Sequence, residues 1–205
     1  MTEAERLQSG DPRAMLVTIR DRVSDRKLRL AACACCRAVW PALRKSSRKA
    51  VEVAEQLADG PISEQIRDAA ARAAIEAACT AGWGAEGAAD MAYKAVLNDG
   101  WYAADWTVGY GPDQAREAAL LREVFGPLPF RVVSVPPSVS AWNDRHIVRL
   151  AQAVYDERRW GDMPVLGDAL LDAGCDNDDM LAHCRQQGGV HVRGCWVIDL
   201  LLGNS

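Results

Sequence analysis

Ser24-Asp25-Arg26-Lys27-Leu28-Arg29-Leu30-Ala31-Ala32-Cys33-Ala34-Cys35-Cys36-Arg37-Ala38-Val39-Trp40-Pro41 decides the fold class. Leu28, Ala32, Cys35 and Val39 recur at steps of four, three and four, the period of one buried helix face. Ser24 or Asp25 supplies an N-cap, and Pro41 ends the run because its ring excludes the helical hydrogen bond. The same grammar extends outward. Upstream, Asp11 caps a helix with Pro12 in its first turn and Met15, Leu16 and Ile19 inward. Downstream, a helix over 50–58 stops at Asp59-Gly60-Pro61, and Ser63 opens an alanine-rich run through Arg67, Ala71, Ala74 and Ala78. Gly82, Gly84 and Gly87 interrupt it, which predicts either a break near Trp83 or two helices packed through small side chains. The helix resumes from Glu86 with Met91, Ala92, Ala95 and Val96 inward. Pro112-Asp113 opens another over 114–125, with Ala118, Leu121, Val124 and Phe125 as its apolar set and Gly126 just past its end.

From Pro127 onward the proline content reads as an extended linker over 127–142, with room for a short strand at Val132-Val133-Ser134-Val135. Four short helices follow: one capped by Asn143 or Asp144, one from Asp162 to Gly174, one over 178–185 capped by Asp176 or Asn177, and one over 194–202. The expected architecture is therefore all-α, with an alanine-rich helical bundle over 1–126 and a compact four-helix unit over 143–205.

At 205 residues the chain suits one large domain or two small ones and buries roughly 70% of its unfolded surface. It contains no apolar run near the roughly 18 residues of a membrane span, and Met1 to Arg6 lacks the charged-then-apolar order of a leader, so a cytoplasmic protein is expected. Seven cysteines, three of them crowded into Cys33-Ala34-Cys35-Cys36, read as reduced thiols rather than a disulfide framework. On a helix turning about 100° per residue, Cys33, Cys36 and Trp40 share a stripe that Cys35 leaves, so at most Cys33 and Cys36 reach one ion. Small core residues explain them better.

The net charge is −4, yet from Arg26 to Val51 every ionisable side chain other than cysteine is basic. A solvated helix face is the plain reading. Arg44, Lys45, Arg48 and Lys49 are the candidate binding residues if that surface meets phosphate or an acidic partner. Trp101, Tyr102, Trp106 and Tyr110 place four large aromatics within ten residues. They read as a plug filling the volume that alanine leaves, with a stacking or sugar-binding platform as the alternative.

The C-terminal stretch from residue 175 onward holds Cys175, His183, Cys184, His191 and Cys195. Zinc takes four nitrogen or sulfur ligands in a tetrahedron, and Cys175, His183, His191 and Cys195 are the candidate set. His183 and Cys184 are sequence neighbours about 100° apart on a helix, so one of them drops out. The opposing reading makes these cysteines core and gives His191 a local hydrogen bond. Cys195, His183 and Asp199 can be drawn as a nucleophilic triad, but no feature of the sequence supplies an oxyanion hole. Asp176-Asn177-Asp178-Asp179 lacks the glycine and glutamate of a calcium loop and reads as a helix cap. Phosphate-loop, His-Glu-x-x-His and Gly-x-Ser-x-Gly motifs are absent from the sequence. The helices over 162–174 and 178–185 have helix-turn-helix spacing, but the second is acidic where a recognition helix approaches phosphates.

Asp25-Arg26-Lys27-Leu28-Arg29-Leu30, Ala32-Cys33-Ala34-Cys35-Cys36-Arg37 and Ala50-Val51-Glu52-Val53-Ala54-Glu55 are joined at the far end by Leu166, Asp168-Ala169-Leu170, Ala173-Gly174-Cys175, His183-Cys184-Arg185 and His191-Val192-Arg193-Gly194-Cys195-Trp196. Together these resemble a family of uncharacterised bacterial proteins, expanded in many copies and sometimes appended to other domains. The resemblance covers both ends of the chain and carries no activity or functional residue with it. Multiplicity and fusion imply an interaction module. The expectation is a non-catalytic interaction or adaptor module whose partner is another protein. The alternative is a small zinc-binding or nucleic-acid-associated protein using the C-terminal Cys/His cluster or the basic 26–49 surface.

Overall fold

The computed structural model describes residues 2–79, 86–97, 99–186 and 188–204. Within them the protein is all-α: α1 (Glu3–Gln8), α2 (Pro12–Ile19), α3 (Asp25–Ala38), α4 (Lys45–Asp59), α5 (Glu64–Cys79), α6 (Glu86–Ala95), α7 (Gly100–Asp105), α8 (Gln114–Phe125), α9 (Pro137–Glu157), α10 (Met163–Asp172), α11 (Asp178–Arg185) and α12 (Trp196–Leu202). The break expected near Trp83 lies outside the described residues. No helix among the described residues is long and apolar enough to cross a membrane.

Most helix starts follow from short polar side chains accepting the first free N–H groups. Thr2, Asp11, Ser24, Asp99, Asp113 and Asn177 all do so. Asp162 does not. Its carboxylate is taken by Arg159 instead, and α10 begins without a side-chain cap.

α3 is the pillar. Ten consecutive residues, Lys27 through Cys36, are buried, so the helix is enclosed on all sides rather than along one stripe. Alanine and cysteine suit this position because small side chains let helices approach closely. α4, α6, α7 and α8 pack against it. Their core runs from Met15 to Phe125 and includes the inward face expected for α6.

A second core forms around α9 to α12, with Ile147, Val154, Leu166, Leu170, Met180 and Ile198 inside it. Residues 127–142 are not the extended linker that their prolines suggest. A turn occupies 127–130, Pro137 already begins α9, and Leu128, Val133, Val135 and Val139 pack into this second core. Proline at the first helical position explains the difference, since its fixed φ suits a helix start as well as an extended segment. The helix is interrupted at Trp142, and Asn143, Asp144 and Arg145 take positive φ before it continues.

Buried cations tie the two cores together. The Lys27 ammonium donates to Val124 O in the last turn of α8 at 2.9 Å and to Gly194 O before α12 at 2.8 Å, and it lies 2.6 Å from Asp199 Oδ2. Arg26 reaches both oxygens of Asp199, at 2.8 and 3.0 Å. Burial pushes the Lys27 ammonium down from its ordinary value, and Asp199 pulls it back. Arg29, also buried, donates to Ala95 O and Leu97 O at the end of α6. Buried Glu55 accepts from Arg37 of α4's neighbour α3 and from Arg158 after α9. Asp199 is the only acid bonded to both Arg26 and Lys27 among these contacts. Asp199→Ala therefore leaves buried positive charge uncompensated and is expected to cost about 3–5 kcal/mol in denaturant unfolding. An unchanged unfolding midpoint would contradict this role.

Candidate metal centre

Three segments meet beside the pillar. On α11, Met180 and Cys184 turn into the second core, which leaves His183, about 100° away, directed toward α8. From Gly188 the chain runs without helix to Gly194, whose φ of +89° and close approach to Leu30 leave no space for a side chain. A Cβ there would stand 2.9 Å from that of Leu30. This tight passage delivers His191 and then Cys195, the residue at the start of α12. Glu123 comes from α8 and is buried beneath them.

The four groups converge. His191 Nδ1 lies 3.1 Å from Glu123 Oε1, while His183 Nε2 lies 3.2 Å from Glu123 Oε2 and 3.2 Å from Cys195 Sγ. One donor atom from each of the four residues lies within 4.8 Å of every other. A four-coordinate shell with bonds of about 2.0–2.3 Å places its ligand atoms roughly 3.3–3.6 Å apart, so small side-chain adjustments suffice. This buried Glu/His/His/Cys group can hold a metal ion. A carboxylate and a thiolate would together neutralise a divalent cation, which removes the main cost of burying charge.

The surroundings fit that chemistry. Burial acts to raise the Glu123 carboxyl, but hydrogen bonds from His183 and His191 outweigh it and the group lies below the usual carboxylate range. Burial drives the Cys195 thiol well above its ordinary value and Glu123 adds to this, while the backbone N–H groups of Ile198 and Val197 act in the opposite sense. Those amides, at the start of α12, are ready donors to a thiolate. Lys27 also lies within electrostatic reach of Cys195. A cavity of about 380 Å³, lined by Glu123, His183, Trp196, Arg122 and Arg131 among others, gives the cluster access to solvent.

His183 does not link Cys195 to an orienting acid as a nucleophilic triad requires. In a Cys-His-carboxylate triad the thiol and the orienting acid occupy opposite ring nitrogens. Here both Cys195 and Glu123 face His183 Nε2, while Nδ1 accepts from Trp196 Nε1 at 3.2 Å. Asp199, drawn from the sequence as a third member, is bound to Arg26 and Lys27 instead.

Of the residues singled out in the sequence, His183, His191 and Cys195 come together and Cys175 does not. Cys175 is buried in the second core, and Glu123 stands in the set that sequence reasoning gave to it. Cys33, Cys35 and Cys36 lie in the first core, and burial pushes all three thiols up. All seven cysteines are free. Of the basic candidates, Arg48 donates to Trp40 O at 3.2 Å and packs on the Trp40 ring, and Lys49 lies 3.5 Å from Glu52. Arg44 precedes α4 and Lys45 is exposed in its first turn. Comparison with protein families, curated proteins and solved structures finds no match to this chain.

The Trp196 bond makes metal binding observable. A neutral His183 ring accepting at Nδ1 carries its proton on Nε2. A metal at Nε2 displaces that proton, Nδ1 becomes the protonated nitrogen, and the indole N–H must turn away. Titrating a divalent metal into chelator-treated protein should therefore change the tryptophan emission, and Trp196→Phe should abolish the change. A response that survives Trp196→Phe would count against this arrangement.

Proposed function

We propose that this chain is a non-catalytic interaction module whose two helical cores are braced by one structural zinc ion bound to Glu123, His183, His191 and Cys195. The observation that supports it is the convergence of those four donor atoms within 4.8 Å at the seam between α8, α11 and α12. Nitrogen, sulfur and carboxylate oxygen together suit zinc, and four protein ligands make a closed shell of the structural kind, whereas catalytic zinc keeps a position for water or substrate. Glu123 comes from one side of the seam and the other three from the opposite side. The ion thus reinforces the junction that Lys27 and Asp199 already hold.

Elemental analysis of untagged protein purified without chelators should find about one zinc per chain. Removing it should lower the melting midpoint by roughly 5–15 °C, and adding it back should restore the midpoint. Glu123→Gln and Cys195→Ser should each abolish stoichiometric zinc, while Cys175→Ala should retain it. Metal-free protein with an unchanged midpoint in the presence of added zinc would refute the brace. Turnover of a substrate that is lost in Cys195→Ser would refute the non-catalytic reading.

A further inference from the structure

The aromatic run around α7 does not plug the core. Trp101 packs partly against it, but Tyr102, Trp106 and Tyr110 are 44%, 40% and 51% exposed, while Ala103, Ala104, Thr107 and Val108 face inward. A segment that buries alanine and exposes tryptophan and tyrosine reverses the usual economy of a surface helix.

The three rings form a ladder at one-turn spacing. Their centroids are 5.8 Å apart between Tyr102 and Trp106 and 6.5 Å between Trp106 and Tyr110, the second pair inclined by only 12°. The ladder is fixed from below. Asp99 caps α7 through the Tyr102 amide at 2.7 Å, and buried Glu117 accepts from the Gly109 and Gly111 amides on either side of Tyr110, at 2.5 and 2.9 Å.

Cations lie over these rings and over the neighbouring Trp101. Arg13 lies 4.8 Å from the Tyr110 centroid, Lys94 4.6 Å from that of Trp106, and Arg20 4.4 Å from that of the neighbouring Trp101. Asp105 lies 3.7 Å from Arg13 and pairs with it. An anionic chain carrying planar groups matches both features: phosphates meet the cations and unstacked bases meet the exposed ring surface that the cations do not cover. A strand extended to about twice its stacked rise of ~3.4 Å offers one base per ring at the observed spacing.

We propose that the Tyr102–Trp106–Tyr110 ladder, bordered by Arg13, Arg20 and Lys94, binds single-stranded nucleic acid without sequence preference. This names a partner class for the interaction module and does not depend on the zinc ion.

The test is fluorescence anisotropy with a labelled oligothymidylate of about 15 nucleotides, beside a duplex of the same length. Single strand should bind in preference to duplex. With three phosphate contacts, raising salt from about 50 to 200 mM should weaken binding roughly 20-fold. Trp106→Ala and Tyr110→Ala should each weaken it about tenfold or more at an unchanged melting midpoint, because the rings are exposed. Arg13→Gln should flatten the logarithmic salt slope by about 0.7, which a merely structural arginine would not do. Absence of binding, binding unaffected by loss of all three rings, or equal affinity for duplex would overturn the proposal. Ring-dependent binding of maltohexaose or a proline decapeptide in place of the oligonucleotide would also overturn it. Zinc-free protein that keeps the ring-dependent affinity would separate this site from the brace.

Discussion

The Lys27 ammonium sits at the meeting point of three backbones, and a buried cation in that position has few acceptable environments. Its neighbours supply one. Two carbonyls, Val124 O from α8 and Gly194 O from the approach to α12, accept from it, and the Asp199 carboxylate neutralises it. Burying an ion costs several kcal/mol after relaxation, so the group is tolerated only where every donor finds an acceptor and the charge is matched. Those demands fix the separation and orientation of α3, α8 and α12 at once. The position of Gly194 is set further by Leu30, and the positions of His191 and Cys195 follow from Gly194.

The basic run of α3 is thus internal wiring in large part. Helix C-termini leave carbonyls without partners, and this protein satisfies several with buried or half-buried cations: Lys27 at the end of α8, Arg29 at the end of α6, and Arg6 at Gly126. Arg26, Arg37 and Arg158 meet carboxylates at the seam between the two cores. The acids that receive them, Glu55, Asp59 and Asp199, lie far along the chain from at least one partner. Such pairs confer orientation and register more than net stability, because desolvation offsets much of their attraction. The Glu/His/His/Cys cluster obeys the same logic, since Glu123 is buried and its charge must be met by imidazole protons or by a metal.

The helices were legible because their punctuation is local. Asp11-Pro12, Ser24, Asp113 and Asn177 act within one turn of themselves, and all four cap as their sequence context implies. Direction was harder to read. Periodicity assigns Ala118, Leu121, Val124 and Phe125 to the inner face of α8 and leaves Glu123 outside, yet the 188–195 segment, through His191, covers it and makes it interior. No local signal marks that covering. Cys175 shows the converse, since proximity in sequence to His183 and Cys195 says nothing of where a side chain points. In the aromatic run, density of tryptophan and tyrosine does not imply burial, because the alanines at 103 and 104 occupy the inward positions. Asp199 reads as a triad member by proximity to Cys195, but one acid within Trp196-Val197-Ile198-Asp199-Leu200-Leu201-Leu202 demands a buried cation, and the basic face of α3 is its source.

X-ray absorption at the zinc edge tests the central claim most directly, because it reads the donor atoms themselves. The account predicts one sulfur scatterer at about 2.3 Å and three nitrogen or oxygen scatterers at about 2.0–2.1 Å, with the sulfur shell lost in Cys195→Ser. Zinc surrounded only by nitrogen and oxygen, or by two or more sulfurs, would contradict the assignment of Glu123, His183, His191 and Cys195 as its ligands.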